Sequence, residues 1–399
     1  LIGCFARIHT ITSTERLTWS VSATLGIKFG RILLPSRSTD LRRRGPLAKA
    51  TGWLDHVDPG VHRRIKGLRV VTAFGIAAML GTMGDITRGL PDGVSLSLLA
   101  GNFALWASVL EGRGTRGESS RDLMLLSMAA AVGAASVIVF SPLLSTLGPA
   151  GPELVLAFGA FCVGYLRRFG LTGTGIGSQI FIGQILTYKL DLKLSDIIVV
   201  VAAGLIATLA SVVPRVLSGP AEHPTPSIPI RATSGRLRPE LVMGLQGVAG
   251  ALLIIMLNAA IGLLESVWAI TASTFVIAGT ASGTIERVKR RVIGTAIGVP
   301  IGLALLPVAA MLPVFAWSAA ALAMIVYAMS IPERYDIACG AYAVTLILTL
   351  AVAGEHSLTL LTARAWETVL GGAVGLGAAM FLFPLRLPTE AGHPLNPSR

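Results

Sequence analysis

"GTIERVKRRVIGTAIGVPIG", Gly283 to Gly302, puts five charges in six positions (Glu286, Arg287, Lys289, Arg290, Arg291), and no further charged residue occurs until Glu333. A nucleic-acid-binding helix keeps its basic residues on one face and its core on another. This stretch separates them end to end. The uncharged run is long enough for two apolar crossings of about 20 residues each, and Pro307 and Pro313 near its middle mark a turn. Arg287–Arg291 therefore reads as an anchor at a membrane face, with Val292 starting a span.

The rest of the chain agrees with this reading. Of its 399 residues, 53% are hydrophobic and 14% charged, whereas a soluble domain carries about a quarter charged residues. A mean hydropathy of +0.72 with 45 glycines fits a multi-pass membrane protein, in which helical glycine is common. The net charge of +12 would suit nucleic acid. Its distribution excludes that partner, because the basic residues fill short breaks between apolar runs. Cys4, Cys162 and Cys339 share no metal-ligand spacing, so the reading is buried packing. No nucleophile–base set, metal cluster or phosphate loop can be assembled, so neither an enzyme nor a bound cofactor is expected.

Windows of sufficient apolar length number twelve, near 70–88, 93–110, 123–142, 150–166, 170–188, 194–213, 241–262, 264–281, 291–309, 312–330, 335–353 and 365–384. The expected fold is an all-α membrane protein with about twelve transmembrane helices. Basic residues stay cytoplasmic. With the N-terminus inside, the inner connections hold Arg113, Arg116, Arg121, Arg167, Arg168, Arg215, Arg231, Arg236, Arg238, the 287–291 cluster and Arg334. Only Arg88, Lys189, Lys193 and Arg364 fall outside. Both termini are thus expected in the cytoplasm, with the protein in the inner membrane. Asp85 and Glu153 are placed near an interface.

Residues 66–215 and 240–386 read as two parallel six-helix repeats offset by roughly 170 positions. Each half has a charged loop after its second span ("EGRGTRGESSRD" from Glu111, "GTIERVKRR" from Gly283). Each also has a Tyr/Arg turn after its fourth ("GYLRRFG" from Gly164, "IPERYD" from Ile331) and an apolar-Pro exit (Pro214, Pro384). An even number of spans gives both copies the same orientation, as in the parallel repeats of secondary transporters. Residues 216–239 form a Pro-rich linker and 387–399 a cytoplasmic tail. Residues 1–65 read as a basic, poorly ordered cytoplasmic segment. Its "LTWSVSATLGIKFG" (Leu17–Gly30) is too short to span, and "LRRRG" (Leu41–Gly45) helps hold it inside. A start on Leu1 opens the reading that part of it comes from a misplaced start.

The segment Glu265–Gly302 resembles the repeat core of the fusaric acid resistance or aromatic acid exporter family. It has a Trp-led span (Trp268), a short basic loop, and then Arg291, Gly294, Thr295 and Gly298 opening the next span. "ARAWETVLGGAVGLGAAMFLFP", with Arg364 and Glu367 at its start, is similar to the family's last span. The resemblance is strong over about 240–386 and weaker over 69–214. It implies export of aromatic or other weak organic acids, with proton coupling, and partners comprising the lipid bilayer, a small organic-acid substrate and a periplasmic adaptor or a second copy of the chain. Many members carry a large cytoplasmic domain between the halves, where this chain has the short linker. A non-transporting scaffold or assembly partner, or a permease for an unrelated solute, are the alternatives.

The polar residues divide accordingly. Gly294 and Gly298 are read as helix packing, and Thr295 as a hydrogen bond to its own helix or a neighbour. "GTGIGSQIFIGQ" (Gly173–Gln184) has a loose dinucleotide glycine pattern, but it lies within a span and not after a strand. Gln179 and Gln184 need partners in hydrocarbon, which interhelical bonding or a substrate would supply. Arg364 and Glu367, three apart, are expected to pair with each other. Glu265 leads the proton-site candidates because no basic residue stands near it in sequence, and Asp336 beside Tyr335 follows. Trp268 and Trp366 are read as interface anchors.

Overall fold

The computed structural model describes residues 58, 62–88, 96–112, 115–218, 238–331, 333–352 and 358–382. The expectations for the first sixty residues, for most of the 216–239 linker and for the 387–399 tail lie outside them. The described residues form twelve α-helices and no strand: α1 (His62–Arg88), α2 (Leu96–Leu110), α3 (Arg116–Leu144), α4 (Leu154–Tyr165), α5 (Gly170–Lys189), α6 (Ile197–Leu217), α7 (Pro239–Ile261), α8 (Ser266–Val276), α9 (Ala281–Met311), α10 (Pro313–Ser330), α11 (Tyr335–Val352) and α12 (Leu358–Phe381). Every apolar window of the sequence falls on one of these helices.

Among the described residues, six helical stretches are long and apolar enough to cross a membrane: α1, α3, the Gly151–Lys189 stretch containing α4 and α5, α6, α7 and α9. Four apolar helices, α2, α8, α10 and most of α11, are shorter. Only helices satisfy every backbone group internally where water is absent. The outward faces are apolar, with Met79, Ile86, Leu205, Leu209, Ile297 and Leu322 all exposed. In water such a surface would drive association. In a bilayer it is the solvated face.

Small residues set the packing. Helix α3 packs on α5 and α6, and α9 on α11 and α12. A β-carbon at Gly133 would fall on the Ile180 carbonyl, one at Gly294 on the Asp336 carbonyl, and one at Gly298 on Gly340. The glycines of Gly173–Gln184 serve the same end, Gly177 against Cys162 and Gly183 against Ala130. Helices α1–α6 meet α7–α12 chiefly through α4 on α7 and α1 on α10. A β-carbon at Gly244 would lie 2.9 Å from the Phe161 ring, and one at Gly67 would lie 2.8 Å from Ile325.

Two boundaries differ from the sequence reading. Helix α9 starts at Ala281, so the basic cluster is helical and not a loop preceding Val292. Thr280 caps it by accepting from the Gly283 amide at 3.1 Å, and Arg290 pairs with Glu286 one turn earlier at 2.6 Å. Pro307 lies inside α9, and the turn falls at Leu312 with Pro313 opening α10. Proline at the first helical position sacrifices no bond.

The basic residues gather at the end that holds the N-terminus of α1. Glu111, buried after α2, accepts from Arg215 Nε of α6 at 2.8 Å, from Arg69 of α1 at 3.3 Å and from the Ser119 hydroxyl. Arg63 pairs there with Glu333. Arg167 and Arg287 both donate to the Ile277 carbonyl, at 3.4 and 3.2 Å. Asp58 accepts from the backbone amides of Arg63 and Arg64 at 3.2 and 3.0 Å, satisfying donors that a helix start leaves open.

Gly298→Val should destabilise the protein by about 1–3 kcal/mol through overpacking, read as a lower thermal midpoint in detergent. Gly377→Ala, which meets nothing within 4 Å, should not lower it. Burial pushes the Asp58 carboxyl up, but the Arg64 and Arg63 amides and the Arg64 guanidinium outweigh this and hold it below its ordinary value. A carboxyl lowered on folding stabilises above its unfolded pKa of about 3.9 and loses that contribution as pH falls through the folded value. The difference in thermal midpoint between wild type and Asp58→Asn should therefore be full at neutral pH and vanish in acid.

Candidate functional site

At the opposite end, α7 stops on Gly262, whose φ of +67° is left-handed and favours glycine. Its amide donates to the Asn258 carbonyl at 2.8 Å, and the Asn258 side chain accepts from the Leu263 amide at 2.9 Å. This tight turn delivers Glu265, 5% exposed, into the protein just ahead of α8. There Lys189 from the end of α5 reaches Glu265 Oε2 at 2.6 Å, and Arg364 from α12 reaches Oε1 at 3.2 Å. Glu367, one turn after Arg364 and fully buried, accepts from the Glu265 backbone amide at 3.1 Å. Its second oxygen has no hydrogen-bond partner. Arg364 also lies over the Trp268 ring, 5.3 Å from its centre.

Beside this cluster is Glu153, 3% exposed, at the start of α4. Its Oε1 accepts from Tyr188 at 2.9 Å, Asn258 at 2.8 Å and Ser266 at 3.0 Å. A cavity of about 480 Å³ opens here, lined by Glu153, Thr187, Tyr188, Lys189, Asn258 and Glu265 among others. Helices α4, α5, α7 and α8 thus converge on a polar chamber within an apolar body. Charged groups in such surroundings persist only when paired or functional.

Glu265, Arg364, Glu367 and Trp268 are brought together, though not as the sequence paired them. Arg364 bonds to Glu265 and not to Glu367, because the turn after α7 brings the backbone of residue 265 between them. Glu265 has two cations, from residues 76 and 99 positions away, where its own neighbourhood offered none. Trp268 is a half-buried ring under Arg364, while Trp366 is exposed. Asp336 lies at the basic end, paired with Arg334 at 3.2 Å, and borders not this chamber but a separate, mainly apolar cavity of about 460 Å³ beside Gly294, Gly298 and Gly340. Gln184 bonds to Ser136 of α3 at 3.0 Å, the interhelical partner expected of it. Gln179 is fully buried, with both amide atoms unpartnered. Neither lines the cavity. Arg291 donates to the Tyr335 hydroxyl at 3.4 Å, Gly294 and Gly298 pack, and Thr295 is half-buried beside them.

Glu153, Tyr188, Asn258 and Ser266 were missed as a group. The local signal for them was weak: a lone Asn within an apolar run, and a Glu beside Pro152.

These features define a multi-pass helical membrane protein with a buried ionic chamber at one end of its helices. Residues 251–378 match the family model described as fusaric acid resistance protein-like, which supports the resemblance read from Glu265–Gly302. No curated protein and no solved structure matches the chain. The matched segment contains Glu265, Trp268, Arg364 and Glu367 of the site, but not Glu153 or Lys189.

Glu265→Gln should leave Lys189 and Arg364 facing a neutral amide. Breaking a buried pair from one side costs about 3–5 kcal/mol, reduced here because Lys189 is partly exposed. A thermal midpoint equal to wild type would show that the two cations find other partners.

Proposed function

We propose that this protein is an inner-membrane secondary transporter that exports aromatic or other weak organic acids, with proton movement as the driving force. The observation that carries this reading is Glu367. It is a fully buried carboxylate with one oxygen free of hydrogen bonds and no ion pair of its own among the described residues, set beside an ionic chamber. The charged groups around it are Glu265, Lys189 and Arg364. Glu265 and Glu367 face Lys189 and Arg364, with Glu153 lining the same chamber, and a proton on Glu367 changes the local charge by one in a medium of low dielectric. A coupling group needs such a difference between two states. Glu265 is the weaker candidate because its charge is already compensated. Asp336 is weaker still, being paired and partly exposed.

The proposed architecture is two copies of a six-helix unit, with the helices crossing the bilayer. In support, the packing within α1–α6 recurs in α7–α12 at matching places. The pairs α3·α5, α3·α6, α2·α6, α4·α5 and α1·α6 correspond to α9·α11, α9·α12, α8·α12, α10·α11 and α7·α12. The two main contacts between the units also correspond, α4 on α7 and α10 on α1, as a pseudo-two-fold axis would require. Gly67 and Gly244 occupy equivalent places in them. The end rich in arginine would face the cytoplasm by the positive-inside rule.

The test is intracellular accumulation of a panel of aromatic acids in cells with and without the protein, with a protonophore added midway. The expected result is lower accumulation that the protonophore reverses, lost in Glu367→Gln and partly kept in Glu367→Asp. Export by Glu367→Gln with unchanged protonophore sensitivity would remove Glu367 as the proton site. Identical accumulation across the panel, with the protein shown in the membrane, would favour a scaffold or a permease for another solute.

A further inference from the structure

We propose that the chamber beside Glu153 binds one monovalent alkali cation, held by the second carboxylate oxygen of Glu153 and the hydroxyl of Thr187. The inference goes beyond the transport reading and does not rest on it.

Charge is out of balance in this cavity. Three carboxylates line it, Glu153, Asp191 and Glu265, against one cation, Lys189. Lys189 is spent on Glu265, which Arg364 also holds. The partners of Glu153 are all neutral, and all of them reach the same atom: Tyr188, Asn258 and Ser266 donate to Oε1. Its Oε2 has no hydrogen-bond partner, although the residue is 3% exposed. A buried carboxylate persists only when a counter-charge or a proton meets it. Asp191 lines the same cavity and is exposed, which puts a second negative charge at the mouth.

A second oxygen is left over beside it. Thr187 is fully buried, lines the cavity and has a hydroxyl without a partner. A threonine within a helix can bond back to the carbonyl four residues earlier, as Thr174 and Thr271 do at 2.9 and 2.7 Å. Thr187 does not, so its oxygen is available to a ligand. Helix ends add to the field. Helices α3, α5 and α7 finish here, through Ser141, Thr187 and Asn258 of their last turns, and a helix C-terminus carries partial negative charge. The N-termini of α4 and α8 offset part of the charge on Glu153 and Glu265, but the three C-terminal ends meet only Lys189. Helix C-terminal ends hold sodium in this way in transporters. The lining holds carboxylates and hydroxyls and neither sulfur nor imidazole, which suits a hard cation. One unanswered buried carboxylate oxygen matches a single positive charge, whereas calcium and magnesium take about six or more oxygen ligands. A volume of about 480 Å³ leaves room for the ion with part of its water shell.

The experiment is equilibrium dialysis of radiolabelled sodium, and separately of rubidium in place of potassium, against the full chain in lipid nanodiscs. Choline chloride holds the ionic strength constant. Wild type should bind one of the two ions saturably, with one site per chain, and the unlabelled ion should displace the label where choline does not. Glu153→Gln, whose amide oxygen still accepts from Tyr188, Asn258 and Ser266, should weaken binding about tenfold. Its monodisperse elution would show that the fold survives. Thr187→Val, which keeps the shape without the hydroxyl, should weaken binding about three- to tenfold and carries the test if Glu153→Gln does not fold. Asp336→Asn, at the opposite end of the helices, should bind like wild type. No saturable binding of either ion by wild type would overturn the proposal and leave a proton as the counter-charge of Glu153. Binding that Glu153→Gln and Thr187→Val leave unchanged would overturn the site. Displacement by choline as strong as by the unlabelled ion would overturn the alkali assignment.

Discussion

Charge taken into an apolar body must be matched there, and this requirement organises the molecule. Glu111 takes two arginines at one end, and Glu265 takes a lysine and an arginine at the other. Moving a carboxylate out of water costs several kcal/mol even after relaxation, so each of these residues is held by partners from separate helices. The partners in turn fix which helices are neighbours. Arg215 ties the end of α6 to the end of α2, and Lys189 and Arg364 tie α5 and α12 to the turn before α8. Close glycine contacts then decide how near the helices come, and the ion pairs decide which way round they stand.

The two levels of order were unequally visible in the amino-acid string. Apolar runs and their breaks located every helix, because the solvent of a membrane protein demands length and apolarity of each segment separately. The glycine contacts were legible too, at least as a type: Gly294 and Gly298 read as packing, and they abut Asp336 and Gly340. Charge pairing was not legible. The partners of Glu265 come from positions 76 and 99 residues away, and those of Glu153 from 35 to 113 away. No local spacing encodes such meetings. The i,i+3 spacing of Arg364 and Glu367 even pointed to a pair that the turn after α7 interrupts. The start of α9 was misplaced for a related reason. Charges within a helix look like a loop when apolarity is the only guide, yet Glu286 and Arg290 one turn apart satisfy each other at the helix surface.

The family match and the geometry inform different questions. The match covers α8–α11 with the latter part of α7 and most of α12. The geometry adds residues from outside that segment, namely Glu153 and Lys189, which complete the ionic chamber. The chamber is built from helices of both six-helix groups.

Helix α8 has only 11 residues and rises about 16 Å, roughly half the thickness of the hydrocarbon layer. The chain then continues unwound through Ile277 before α9 begins, and the Ile277 carbonyl is held by Arg167 from the first group and Arg287 from the second. Of these two bonds only the one from Arg167 crosses between the groups, so they cannot part at this level until Arg167 lets go. Because Arg287 still holds that carbonyl, loss of the Arg167 bond leaves no main-chain oxygen bare on the second group.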